Sequence, residues 1–383
     1  MIYLDNAATT FVKPDRVYQK VDDTQRHMAV NVGRGAYTLS RQAIALVDET
    51  RQLMASLIHA RRPECIVFTP SATIALNQII FGLDWEGFKT VYVSPFEHNA
   101  VARPLEIIRK QCQVDIRILP YYKDTIELDS DEMVRMFTQD PPDYVFINHV
   151  SNVIGVISPL EEIVQHAKQN DAVVVIDGAQ SIGVIETDLR KLNADFLVFA
   201  GHKNLYSMLG IGGFVKNSDV RLMPCFAGGN GADSLNLDMP EEMPAGFEFA
   251  SPNIVAIASL NESLKWLGET GIQSIYDHKR QLMASLITGL RRIPSVELYL
   301  PENLDLHISV LSMNIRGYQA SEVGIILDQD FDIAVRTGYH CAPYIHDLIA
   351  TKAYHGTVRI GLSYFTTAED IQTAIKAIAE IGA

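Results

Sequence analysis

The runs Ala172-Val173-Val174-Val175-Ile176-Asp177-Gly178-Ala179-Gln180 and Asp195-Phe196-Leu197-Val198-Phe199-Ala200-Gly201-His202-Lys203 decide how this chain folds. Each is a short, unbroken apolar stretch, the pattern of a strand buried on both faces. The first ends in a carboxylate, Asp177, and the second leads into an amine, Lys203. A carboxylate and a lysine delivered by neighbouring strands suit pyridoxal phosphate. The amine forms a Schiff base with the cofactor aldehyde, and the carboxylate keeps the pyridine nitrogen protonated so that the ring accepts electrons. Taken alone, Lys203 reads as an ordinary loop lysine; the pairing with Asp177 favours the cofactor site.

Outward from these runs, strand and helix patterns alternate. Residues 66–68, 90–94, 115–119 and 144–148 read as further strands, with helices predicted over 72–83, 100–111, 130–137 and 160–169. This β–α alternation with apolar strands implies a mostly parallel sheet covered on both faces. A Gly-rich loop, Ala227-Gly228-Gly229-Asn230-Gly231, and an acidic, Pro-containing stretch at 238–244 interrupt the pattern. Helical periodicity returns over 255–267 and 272–292, followed by strands near 307–314 and a closing helix over 368–381. That tail predicts a smaller α+β unit.

The 383 residues predict about two domains at ~100–200 residues each, and a hydrophobic content of 48% supplies their cores. The net charge of −14 argues against nucleic acid or an anionic membrane as the main partner, because both need basic patches. The opening Met1-Ile2-Tyr3-Leu4-Asp5 carries no secretion pattern, and no apolar run approaches the ~20 residues of a membrane span. A cytoplasmic location is the expectation. Four cysteines, Cys65, Cys112, Cys225 and Cys341, are scattered with no paired spacing, and most such cysteines of a reducing compartment are buried fillers; Cys65 fits that description, whereas Cys341, in the polar turn Arg336-Thr337-Gly338-Tyr339-His340-Cys341-Ala342-Pro343, does not.

Other candidates carry two readings each. Ser71-Ala72-Thr73 opens a helix where free N–H groups bind phosphate, or is a simple N-cap. His98 ends a strand at the ligand-binding edge and suits ring stacking or proton transfer; lone loop histidines usually do neither. Gln180 and Asn152 are placed to donate to the cofactor's phenolic oxygen, or are turn residues. Arg359 stands in an apolar run and wants a bidentate acceptor, either a substrate carboxylate or an internal ion pair. Cys341 with His340, His346 and His355 fits no usual zinc spacing, so no metal is expected. No G-x-G-x-x-G follows a strand.

Asp177-Gly178-Ala179-Gln180, Gly201-His202-Lys203, Phe247-Glu248-Phe249-Ala250-Ser251-Pro252-Asn253 and Arg336-Thr337-Gly338-Tyr339-His340-Cys341 resemble the cysteine desulfurase family of the class V aminotransferases, the Suf-type cysteine desulfurase/selenocysteine lyase branch above all. Tyr3-Leu4-Asp5-Asn6-Ala7-Ala8-Thr9-Thr10 and Arg34-Gly35-Ala36-Tyr37-Thr38-Leu39-Ser40 are similar to it too, so the likeness runs nearly end to end. It implies the α/β type I fold of pyridoxal-phosphate-dependent transferases: a large domain over 15–253 around a seven-stranded sheet, and a small α+β domain built from 1–14 and 254–383. It makes Lys203 the lysine that carries the cofactor, Asp177 its pyridinium partner and His98 the stacking histidine. Gln180 and Asn152 match residues at the phenolic oxygen. Ala72, Thr73 and His202 match phosphate contacts, and Ser251 matches one supplied by the other subunit of a homodimer. Arg359 matches the holder of the substrate carboxylate, with Arg34 and Asn152 also toward the substrate, and Cys341 matches the sulfur-accepting cysteine.

The implied reaction turns L-cysteine into L-alanine and leaves sulfur as a persulfide on Cys341, for passage to a sulfur-acceptor protein. Cys341 has to be kept a thiolate, and His340 or His98 is the expected cause. A selenocysteine lyase or other C–S lyase acting on L-selenocysteine or L-cysteine, and a pyridoxal-phosphate-binding scaffold without turnover, remain open alternatives. Ala72, Ala200 and Ser207-Met208 depart from the family pattern and bear on phosphate contacts and on the loop after Lys203.

Overall fold

A computed structural model describes residues 1–33, 35–229, 235–240 and 242–383. In chain order its strands are β1 (Ile2–Tyr3), β2 (Ile66–Thr69), β3 (Lys89–Val93), β4 (Val114–Ile118), β5 (Tyr144–Asn148), β6 (Val173–Asp177), β7 (Phe196–Ala200), β8 (Gly212–Lys216), β9 (Val296–Tyr299), β10 (Val310–Ile315), β11 (Ile333–Ala334), β12 (Arg336–Gly338) and β13 (Thr357–Gly361). Among these residues, β2 to β8 form a seven-stranded sheet in the order β2-β8-β7-β6-β5-β3-β4. β8 runs antiparallel to both its neighbours, β2 and β7, and the other pairings are parallel.

The unbroken apolar runs have a direct consequence in the packing. Side chains alternate across a strand, so Val174 and Ile176 of β6 enter a core on one face while Val175 enters a core on the other. The second face is covered by the helices Ala72–Gly82 and Asn99–Gln111, through Leu76, Ile79, Val101 and Leu105. The first is covered in part by Ala43, Val47 and Met54 of the helix Thr38–Leu57. This is the predicted α/β architecture.

A third core, with Leu286, Leu311, Met313, Val358, Ile360 and Ile378, joins the helices Ile272–Leu290 and Ala368–Ile381 to an antiparallel sheet ordered β12-β13-β10-β9. Thr367 and Asp370 start the closing helix by exchanging side chain-to-backbone hydrogen bonds. β1 pairs with β11, which carries the N-terminal arm onto this C-terminal unit. The helix Ile254–Thr270 departs from expectation. Ile257, Leu260, Leu264 and Leu267 place it in the core beneath the seven-stranded sheet, packed on the helices Asp15–His27 and Thr38–Leu57. Its apolar residues reach round most of its circumference, which suits a helix buried between neighbours. Asn230, Gly231 and Glu241, in the two interrupting stretches, lie outside the described residues. Among the described residues, no helix is long and apolar enough to cross a membrane.

Candidate active site

β2 and β7 both oppose β8, so β2 runs with the parallel strands and its C-terminal end lies on their edge. Open α/β sheets bind ligands along that edge. Ser71-Ala72-Thr73 follows β2, His98 follows β3, Asn152 follows β5, Asp177 closes β6, and His202 and Lys203 follow β7. Together with Gln180, Arg359 and Cys341, these residues line one cavity of about 230 Å³. Ser251 is exposed and lies outside this cavity, accepting a hydrogen bond from Asn31 at 3.3 Å. Arg34 lies outside the described residues.

Electrostatics follow from burial. The Asp177 carboxyl is raised by burial and drawn back by Lys203, and its Oδ1 accepts from the Ala179 N–H at 2.9 Å. Burial holds the Lys203 amine down at about 8. His98 and His202 are each pushed down to about 4, by burial and then by Lys203. His98 Nδ1 accepts from the Ala100 N–H at 3.0 Å, which caps the helix Asn99–Gln111 and leaves its proton on Nε2. Gln180 Nε2 donates to the Ala7 carbonyl at 2.7 Å, so one of its amide hydrogens is already engaged.

The loop after Lys203, where Ser207-Met208 depart from the family pattern, is fixed by its neighbours. Ser207 Oγ and the Met208 N–H both meet Ser259 Oγ, at 2.8 and 3.1 Å. From the N-terminal arm, the Thr9 and Thr10 hydroxyls donate to the His202 carbonyl.

Cys341 sits in a tightly held turn. His340 and Cys341 both have positive φ, 48° and 58°, a left-handed pair that persists only when its surroundings over-determine it. They do so here. Asn152 Nδ2 donates to the His340 carbonyl and the Asn99 N–H to the Cys341 carbonyl, both at 2.7 Å. His340 Nε2 meets Thr357 Oγ1 at 2.9 Å. Beneath the turn, Gly356 has φ +111°, and a Cβ there would stand 2.2 Å from the Gly338 backbone. Burial lowers His340 well below its usual range and His98 to about 4, which disfavours the charged form of both. Neither histidine is therefore the expected cation beside the sulfur; the charged group there is Arg336, with Nη2 4.0 Å from Sγ.

Sequence reasoning assigned no part to Arg336, Asp5 or Glu97. Arg336 lies in the quoted motif around Cys341, but only the β12–β13 register reveals that it faces Arg359. Asp5 comes from the N-terminal arm and accepts from Arg359 Nη2 at 2.6 Å. Arg359 thus has an internal ion pair and also lines the cavity. Glu97, next to His98 in the chain, is fully buried, and burial pushes its carboxyl up to about 8. Its Oε1 accepts from Ser94 Oγ and the Asn148 N–H, both at 2.6 Å.

The residues fit pyridoxal phosphate. Among the described residues, His202 Nδ1, Asn152 Oδ1 and Arg359 Nε are buried polar atoms with no partner, and all three belong to residues lining the cavity. Ser71 Oγ accepts from the Ile74 N–H at 3.3 Å, and the N–H groups of the first helical turn have no carbonyl partner within their own helix.

Residues 2–373 match the class V aminotransferase family. The cysteine desulfurase of Escherichia coli is 31% identical over 396 residues, covering 100% of this chain and 93% of that protein. A probable cysteine desulfurase of Pyrococcus abyssi is 32% identical over 389 residues, covering 100% and 94%. The apo structure of the cysteine desulfurase from Thermococcus onnurineus NA1 has a TM-score of 0.92 at 30% identity, covering 99% of this chain and 94% of that one. With its fold and cavity in agreement with that likeness, the chain belongs to the class V aminotransferases and, within them, to the cysteine desulfurases.

Proposed function

We propose that this chain is a pyridoxal-phosphate-dependent cysteine desulfurase, converting L-cysteine to L-alanine and taking the sulfur as a persulfide on Cys341. One observation carries the reading: an amine, a buried guanidinium and a thiol, Lys203, Arg359 and Cys341, face the same cavity. Bound there, pyridoxal phosphate supplies the electron sink that lets the substrate's Cα–H and C–S bonds break. Lys203 holds the cofactor, and Asp177 stands as the buried anion for its ring nitrogen. His202, Ala72 and Thr73 are the phosphate donors, His98 the stacking ring, and Gln180 and Asn152 the neighbours of the phenolic oxygen. Arg359 and Asn152 orient the substrate carboxylate, with Arg34 assigned to the same task. Lys203 Nζ takes the α-proton. The Cys341 thiolate attacks the substrate sulfur; an S–S bond forms, the C–S bond breaks, and its electron pair stays on carbon, which is protonated to the methyl of alanine.

Ser251, exposed and outside its own cavity, supports a C₂ homodimer in which it completes the phosphate site of the other subunit. The short, anchored turn of Cys341 supports the Suf-type branch. The two groups of cores support a large and a small domain, with the helix Ile254–Thr270 on the large side. We place the protein in the cytoplasm on its four free thiols, with a sulfur-acceptor protein as a further partner.

The test uses purified, cofactor-loaded protein and L-cysteine. Alanine should appear with a persulfide on Cys341 detectable by mass spectrometry. Cys341→Ala should nearly abolish alanine formation while cofactor absorbance persists, and should cost less with L-selenocysteine. If that variant instead turns over cysteine at near wild-type rate, releasing pyruvate and ammonia, the lyase reading replaces this one.

A further inference from the structure

Cys341 stands in the wall between two spaces. On one side is the cavity with Lys203; on the other is a groove of about 570 Å³, within the ~300–1,000 Å³ typical of small-molecule sites. Arg103, Arg336 and Lys352 line the groove, and among the described residues no carboxylate does. Lys352 is paired with Asp347, but among the described residues neither Arg103 nor Arg336 takes part in an ion pair. On a chain of net charge −14 this is a local reversal of sign. The cation and the thiol are also tied together. Arg103 is exposed on the helix Asn99–Gln111, whose first N–H holds the Cys341 carbonyl at 2.7 Å.

We propose that the groove is the exit subsite for sulfur and takes a small thiol bearing carboxylates, held by Arg103 and Arg336 with its sulfur against Cys341. The proposal rests on the persulfide reading above and separates the two halves of the reaction in space: sulfur arrives from the inner cavity and leaves outward. The acceptor thiolate attacks the outer sulfur of the Cys341 persulfide. A new S–S bond forms on the acceptor, the S–S bond to Cys341 breaks, and its electron pair returns to Cys341 as thiolate. The acceptor leaves as a persulfide, so no oxidant or reductant is consumed.

In the experiment, cofactor-loaded protein is given one equivalent of L-cysteine under anaerobic conditions. Alanine and the Cys341 persulfide are confirmed by mass spectrometry. Mercaptosuccinate, 3-mercaptopropionate, 2-mercaptoethanol and cysteamine are then compared at equal thiolate concentration, following loss of the persulfide after rapid quench. The rate should rise with negative charge, with mercaptosuccinate about tenfold or more faster than cysteamine at low salt and the gap narrowing as salt is raised. Arg103→Glu should remove most of that preference without changing the single-turnover yield of alanine, because Arg103 lies outside the inner cavity. A persulfide that discharges to all four thiols at one rate, or only to a protein, overturns the proposal. So does a preference that survives both Arg103→Glu and Arg103→Ala. If no Cys341 persulfide forms at the first stage, the parent reading falls with it.

Discussion

Arg359→Lys separates charge from geometry at the proposed carboxylate site. The native side chain is 2% exposed. Nη2 donates to Asp5 Oδ1 at 2.6 Å and Nη1 to the Asn152 carbonyl at 3.0 Å, while Nε has no partner among the described residues. A substrate carboxylate can take Nε and the remaining N–H groups as a bidentate acceptor. Lysine keeps the charge and can still pair with Asp5. It has no fork, so it cannot hold Asp5, the Asn152 carbonyl and a carboxylate together. The substrate then loses at least one charge-assisted hydrogen bond, ~1.5–3 kcal/mol, or about 10- to 150-fold in kcat/KM. Most of this should appear in KM, because a carboxylate remote from the breaking bonds is held alike in the ground and transition states. Steady-state alanine formation measures it, with cofactor absorbance recorded in parallel. Arg359→Ala is the companion: it strands a partly exposed Asp5, so the cost should fall below the ~3–5 kcal/mol of a fully buried pair and be visible as a lower Tm. A wild-type KM in Arg359→Lys would refute the assignment, as would a loss explained wholly by weaker cofactor binding.

Four further outcomes are expected. Borohydride treatment of the loaded protein should fix the cofactor on Lys203, and an adduct on another lysine would reassign the site. Without cofactor, the folded protein holds a buried ammonium at Lys203 below pH 8 that the unfolded chain solvates. Stability should therefore rise between pH 8 and 10.5, by on the order of 2–3 kcal/mol from this residue. Lys13 and Lys279, lowered by burial to about 8 and about 7, add to the slope, so the measurement is the difference between wild type and Lys203→Met in urea unfolding. Gly356→Ala should cost more than ~2 kcal/mol, because its Cβ forces the Gly338 backbone aside; it should slow sulfur transfer more than cofactor loading. Analytical ultracentrifugation of the loaded protein should show a dimer, and a monomer with intact cofactor affinity would remove Ser251 from the phosphate site.

The parts of the fold legible in the sequence are those where local pattern and tertiary role coincide. The strand ending at Asp177 and the strand before Lys203 are apolar because both sheet faces are covered, so their periodicity and their burial agree. β8, Gly-Gly-Phe-Val-Lys, escaped notice because Gly212 and Gly213 carry no apolar signal. Glycine is needed there for another reason: a Cβ on Gly212 would meet the Ala72 nitrogen at 2.7 Å, and one on Gly213 the Val67 carbonyl at 2.2 Å. The first two helices were missed because polar residues fill their outer faces and neither has a side-chain N-cap hydrogen bond. At the site, residues at strand ends were legible. Asp5 and Arg336 were not, because only long-range pairing brings the N-terminal arm and β12 to Arg359.

Asn152 joins the two ends of the proposed chemistry. Its carbonyl accepts from Arg359 Nη1, its Nδ2 donates to the His340 carbonyl, and its Oδ1 is buried and unpartnered among the described residues. One short turn after β5 therefore fixes the guanidinium and, separately, the loop that carries the thiol. The left-handed pair His340-Cys341 costs of order 1–3 kcal/mol per residue, and the bonds from Asn152, Asn99 and Thr357 offset that strain. The arrangement replaces loop entropy with geometry. A thiol on a long mobile loop must be ordered in each catalytic cycle, whereas one held in a strained, anchored turn needs no such ordering before attack. The same anchoring confines the sulfur to the boundary between the inner cavity and the outer groove, beside Arg336. A persulfide formed there lies on the border of the space from which an acceptor arrives, so receiving and releasing sulfur requires no large movement of the chain.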